Sequence, residues 1–264
     1  MGDNPVAVTR SGNGRLAHVV FDTGTPANAL SIEVMQALHD CAAGLQRDRD
    51  VTAIVLGGRA DRFSLGFDLK AAGGRLDVGL AERRELISIG PRMCRAWAEI
   101  EAFTVAAIEG WCVGGGVALA VSLDLRVVGR GATLYVPEIE RGMNMSWGSL
   151  PRLVNLVGPA KAKRIAVLAE RIDAERAVSW GLADEIADDG QAVAVATSFA
   201  TRAASLPPVS VRMCKQGIDL YANALAQAAS GLDRDQYLLA MTGEDYAEGV
   251  ASFLDKREAH WTGR

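Results

Sequence analysis

Three consecutive glycines, Gly114-Gly115-Gly116, stand between two apolar runs, and they constrain the fold more than any other feature of the chain. Upstream, residues 104–108 are apolar and β-branched at their start, as in a buried strand. Downstream, residues 117–123 form an apolar helical run. The whole segment is Glu109-Gly110-Trp111-Cys112-Val113-Gly114-Gly115-Gly116-Val117-Ala118-Leu119. Without Cβ atoms, the glycines permit a tight strand-to-helix turn and let a ligand approach the backbone N–H groups. A helix start also leaves unpaired N–H donors and a partial positive charge. Such a turn suits a phosphate. It equally suits an oxyanion formed as a carbonyl becomes an enolate, or simple close packing of a helix on a sheet. No Gly-Lys-Ser/Thr follows, so a Walker loop is excluded, and the spacing does not fit a dinucleotide fingerprint.

The same glycines bear on a possible membrane span. Between residues 103 and 123 the only charged residue is Glu109, and a span needs about 20 apolar residues. The interruption in the middle favours a buried strand, a turn and a buried helix. The first ten residues, MGDNPVAVTR, lack the apolar run of a signal peptide. Cys41, Cys94, Cys112 and Cys214 are scattered without a C-x-x-C pair, and the three histidines are equally dispersed. That argues against a zinc site or a disulfide framework and for reduced thiols in a cytoplasmic protein. A net charge of -4 argues against a nucleic-acid partner. A local cluster of Lys and Arg can still hold an anionic ligand.

Short apolar strands alternate with helices along the first part of the chain. Strands are expected at 16–21, 53–56, 104–108, 125–128 and 134–136. A helix is expected at 31–46, opened by Ser31 as N-cap, and a long amphipathic segment at 80–100. This alternation predicts an α/β fold with parallel pairing. From Lys161 onward helical signals dominate. Leu206-Pro207-Pro208 marks a boundary, dividing a core of residues 1–206 from a helical region of residues 207–264. In the latter, 209–221, 225–239 and 244–256 have helical periodicity.

A second glycine-containing segment, Phe63-Ser64-Leu65-Gly66-Phe67-Asp68-Leu69-Lys70, also follows an apolar strand. Together the two segments resemble the paired oxyanion-hole signatures of the crotonase (enoyl-CoA hydratase/isomerase) superfamily. Other stretches resemble the family in the same order: Asn28-Ala29-Leu30-Ser31, Tyr135-Val136-Pro137-Glu138-Ile139, Leu153-Val154-Asn155-Leu156-Val157-Gly158, Trp180-Gly181-Leu182-Ala183 and Phe253-Leu254-Asp255-Lys256-Arg257. The likeness covers roughly residues 16–256. It implies a crotonase-like spiral of ββα units with a C-terminal helical trimerisation layer, and a homotrimer or dimer of trimers. It implies an acyl-CoA thioester as substrate, with coenzyme A as part of that substrate and no separate cofactor or metal.

Residue roles follow from the resemblance. Backbone N–H groups of Phe67 and Gly115 are expected to hold the thioester oxygen. The backbone around Ser64 and Leu65 is expected to meet the adenine, and Lys70 to lie near the CoA phosphates. Phe253 and Lys256 are expected to reach the CoA of an adjacent subunit. Glu138 falls at the family's active-site glutamate and is the expected proton-transfer group. Burial in an apolar pocket raises a carboxyl pKa toward a useful value. Trp111, Ala118 and Trp147 are expected to line the acyl pocket.

One position departs from the family. Hydratases of this superfamily carry a second glutamate on the helix opened by the glycines, and here that position is Ala118. An alanine neither orients water nor moves a proton. A single base suffices for an enoyl-CoA isomerase, which removes a proton from C2 of a 3-enoyl thioester and returns it at C4. The alternatives are a hydratase or hydratase-lyase in which another group, such as Glu140 or Ser146, replaces the missing carboxylate, and a non-catalytic acyl-CoA binder.

Overall fold

The computed structural model describes residues 4–69 and 77–264. Strands β1 (Val6–Ser11) and β2 (Leu16–Phe21) form an antiparallel hairpin. Its turn uses positive φ at Gly12, Asn13 and Gly14. From β2 the sheet continues in parallel through β3 (Ala53–Gly57), β4 (Phe103–Ile108), β6 (Leu125–Gly129) and β9 (Glu185–Ala187), in the order β1-β2-β3-β4-β6-β9. A second, three-stranded sheet joins β5 (Trp111–Val113), β7 (Thr133–Tyr135) and β8 (Ile172–Asp173). The architecture is α/β, as the alternation of strands and helices predicts.

The core follows from the two-residue period of the strands. Ile54, Leu56, Ala106, Ile108 and Val128 face one apolar cluster, which includes Val34, Met35 and Leu38 of helix α1 (Ile32–Arg47). Ala53, Val55, Val105, Ala107 and Val127 face the other. That second face is covered by a helix carrying Ala192, Ala196 and Ala200. Alanines four residues apart lie on one stripe and let a helix sit close to a sheet. Ser31 caps α1 as expected, its Oγ accepting from the Val34 N–H at 3.3 Å.

The expected segment 80–100 is two helices, α2 (Leu80–Leu86) and α3 (Ile89–Ala98). Pro91 has no N–H to donate to the Ile87 carbonyl across the junction, and Ser88 Oγ donates to the Arg84 carbonyl at 2.6 Å. The stretch that mimicked a membrane span is β4, β5 and the short helix α4 (Gly115–Ala120). Among the described residues no helix is long and apolar enough to cross a membrane.

Helices α5 (Ser149–Ala166), α6 (Ala174–Trp180) and α7 (Ala192–Ala204) complete the first part of the chain. A new helix, α8 (Pro208–Ala222), starts with Pro208 in its first turn, where a missing N–H costs nothing. It is followed by α9 (Ala226–Ser230), α10 (Asp233–Ala240) and α11 (Glu244–Asp255). The expected helix 225–239 is thus broken near Gly231, because glycine is a poor helix former. On α8, Val209, Met213, Ile218, Leu220 and Tyr221 are all exposed in the single chain.

Candidate active site

The site is assembled by backbone lacing between two loops. Asn28 is fully buried and takes a positive φ of 44°. Its Nδ2 donates to the carbonyls of Phe21 (3.1 Å) and Phe63 (2.8 Å), while Oδ1 accepts from the Thr23 N–H. Ser64 Oγ donates to the Asn28 carbonyl at 2.8 Å and accepts from the Gly66 N–H at 3.0 Å. Leu30 N–H donates to the Gly66 carbonyl, and Val113 N–H to the Ser64 carbonyl. The 63–68 segment is therefore pinned on one side to residues 28–30 and on the other to β5.

Gly66 makes this approach possible. Its φ is +87°, and a Cβ there would lie 2.7 Å from the Val113 carbonyl oxygen and 3.4 Å from the Gly115 nitrogen. Real Cβ atoms do not tolerate the first contact, so only glycine brings the two loops this close. The backbone N–H groups of Phe67 and Gly115 sit on these adjoining loops. Neither donates to an acceptor among the described residues. Gly115 is also the first residue of α4, where helical N–H groups lack internal partners.

Glu138 opens a short 3-10 turn, Glu138–Arg141, directly after Pro137. A Cβ at Gly114 would lie 2.5 Å from its Oε1. Glu138 Oε2 is sealed from solvent and has no hydrogen-bond partner among the described residues, although the residue as a whole is only half-buried. Burial pushes its carboxyl up to about 7, against the smaller opposing effects of its own backbone N–H and the Arg141 charge. A carboxyl poised near neutrality can both take and return a proton.

Helix α11 closes the back of this turn. A Cβ at Gly142 (φ +65°) would lie 2.5 Å from the Asp245 carbonyl oxygen and 2.7 Å from the Tyr246 nitrogen, and one at Gly249 would strike the Arg141 backbone. Arg141 lies over the Phe253 ring at 4.1 Å. On α10, burial and the neighbouring Tyr246 phenol push the Tyr237 phenol up, with a smaller contribution from the Glu138 charge.

The remaining expected residues fall as follows. Ala118 is fully buried in α4. Trp147 has its ring against Gly115, and edge-to-face on Phe67 with centroids 6.3 Å apart. Trp111 is partly exposed, and the Arg171 guanidinium lies 5.8 Å from its ring. Leu65 is partly exposed and its N–H donates to the Ala27 carbonyl. Phe253 is half exposed, and Lys256 caps α11 with φ +56°. Lys70 lies outside the described residues. Glu140 accepts from the Tyr135 hydroxyl, so it is already engaged away from Glu138. Ser146 is buried, and its carbonyl accepts from the Ser149 N–H and hydroxyl.

The enoyl-CoA hydratase/isomerase family model matches residues 11–264. The chain belongs to this family. A mevalonyl-coenzyme A hydratase of Aspergillus fumigatus is 35% identical over 160 residues, which span 60% of this chain and 59% of that protein. A short-chain-enoyl-CoA hydratase of Clostridium acetobutylicum is 25% identical over 93% of both chains. The crystal structure of a carnitinyl-CoA hydratase from Mycobacterium avium superposes with a TM-score of 0.87, at 28% identity and 100% coverage of both. The fold of this family member is accordingly the crotonase fold, and it is an acyl-CoA enzyme.

Proposed function

We propose that this family member is an enoyl-CoA isomerase that works with one carboxylate. The observation that carries this reading is the pairing of Glu138 with Gly114 while Ala118, the place of a second glutamate, bears no functional group. The thioester oxygen accepts from the N–H groups of Phe67 and Gly115. Glu138 takes a proton from C2 of a 3-enoyl thioester, the oxyanion hole holds the dienolate, and the protonated Glu138 returns the proton at C4. This pair of N–H donors, without acceptors among the described residues, stabilises charge that develops only during the reaction, which is where such donors are most effective. A carboxyl at about 7 has nearly equal populations of base and acid at neutral pH.

The backbone around Ser64 and Leu65 is assigned to the adenine of coenzyme A, and Phe253 and Lys256 to the coenzyme A of an adjacent subunit. No separate cofactor or metal is needed for this chemistry. The exposed apolar side chains of α8 support a trimer built through residues 207–264. The free cysteines support a reducing, cytoplasmic setting.

A second reading is hydration, for which the relatives above are named. The feature that favours it is the set of relatives itself, since those reported above are hydratases by name. The two readings are separated by incubating the pure protein with 2-enoyl-CoA and 3-enoyl-CoA and following mass and ultraviolet absorbance. A hydratase adds the mass of one water to the 2-enoyl substrate. An isomerase changes the absorbance of the 3-enoyl substrate at constant mass.

A further inference from the structure

Trp147 has a backbone conformation that bulky residues rarely adopt. Its φ is +60°, and Gly148 after it is at +66°. A left-handed tryptophan persists only where its surroundings fix it. Here Gly148 N–H donates to the buried Asp233 carboxylate at 2.7 Å, Arg152 Nη1 donates to the Gly148 carbonyl at 2.9 Å, and the Ser149 hydroxyl donates to the Ser146 carbonyl at 2.6 Å. These bonds clamp the turn from α5 and α10.

The strained backbone aims the indole into a slot made by two glycines. A Cβ at Gly90 of α3 would overlap the five-membered side of the ring system, and one at Gly115 would lie 2.5 Å from its far edge. Leu30 Cδ1 lies 3.4 Å from the same Gly115 position. The indole also packs edge-to-face on Phe67 at 84°. It thus touches both residues whose N–H groups face the thioester oxygen. Glu138 stands at Gly114 and Trp147 at Gly115, so the acyl group leaves the oxyanion hole between a carboxylate and an indole.

We propose that Trp147, wedged between Gly90 and Gly115, is the wall that limits the length of the acyl group. The proposal rests on the acyl-CoA reading of the site but not on the choice between isomerase and hydratase. A rigid aromatic wall beside the first acyl carbons excludes longer chains by overlap, and a close-packed protein interior yields little to relieve it.

The test is a set of dissociation constants for butyryl-, hexanoyl-, octanoyl- and decanoyl-CoA, measured by titration calorimetry on the wild-type protein, Trp147→Gly and Trp147→Phe. Glycine suits the left-handed position, so that variant keeps the turn while removing the wall. The smaller Phe ring keeps more of the packing should glycine loosen the fold. The expected result is tightest binding of butyryl-CoA by the wild type. In Trp147→Gly, octanoyl-CoA should gain about tenfold or more, because the added methylenes become buried, and Trp147→Phe should fall between. Identical chain-length profiles in the wild type and both variants overturn the proposal. So does a wild type that binds all four thioesters equally, which leaves the acyl-CoA reading intact. A wild type that binds none of them overturns both.

Discussion

The Glu138 carboxylate occupies the space that a side chain at Gly114 would need, with Oε1 2.5 Å from the position of a Cβ there. Gly114 has φ +51° and ψ -112°, a combination open to glycine and closed to other residues. The glycine therefore serves the turn and the base at once. Gly114→Ala is expected to destabilise the protein by about 1–3 kcal/mol through backbone strain. It should also displace Glu138 and lower kcat by at least about tenfold. Thermal denaturation and steady-state kinetics on the same preparation check both parts.

Glu138→Gln removes the base and leaves the backbone donors in place. Turnover should fall by a factor of about 10² to 10⁴, while acyl-CoA dissociation constants stay within about threefold. Turnover near the wild-type level in a correctly folded variant contradicts the assignment of Glu138.

The pH dependence follows from the burial of Glu138. Only the carboxylate can take the C2 proton, so kcat/KM should rise with pH through an inflection near about 7. Stability moves the opposite way. The folded state holds this proton more tightly than the unfolded chain, where the group titrates near 4.5. The stabilising contribution is therefore complete below that value and is lost as pH rises through about 7. Relative to wild type, Glu138→Gln should gain up to about 3 kcal/mol above pH 7 and almost nothing below pH 4.5. Urea denaturation of both proteins across that range measures the difference.

The exposed apolar residues of α8 predict self-association. Met213→Lys together with Ile218→Lys should turn a trimer-based species into monomer, as read by light scattering at micromolar concentration. A wild-type protein that is already a clean monomer contradicts the expectation.

What the sequence disclosed, it disclosed through local chemistry. The Ser31 cap, the buried β3 and β4, and the glycine turn at Gly114–Gly116 each depend on neighbours in the chain. Glu138 was legible because a proline and a family pattern surround it. The break inside 80–100 was signalled by Pro91, but its helical periodicity outweighed that signal. β1 escaped because only Val6 of its six residues is buried, leaving no alternation to detect. The seating of Trp147 on Gly90 and the bond from Asn28 to the Phe63 carbonyl join distant parts of the chain. No local pattern encodes them, and only the packed structure brings them together.

Whether Glu138 works without a second carboxylate is decided at Ala118. The measurement is the ratio of 2-enoyl-CoA hydration to 3-enoyl-CoA isomerisation, in the native protein and in Ala118→Glu. Two nearby carboxylates can share a water, and their repulsion raises one pKa, which supplies an acid beside a base. Because Ala118 is fully buried, the variant is expected to lose stability, so the ratio rather than the absolute rate is decisive. The native protein is expected to isomerise faster than it hydrates, and Ala118→Glu to raise the hydration ratio. Efficient hydration by the native protein, with a ratio unchanged in Ala118→Glu, contradicts the one-carboxylate mechanism and assigns the water to another group.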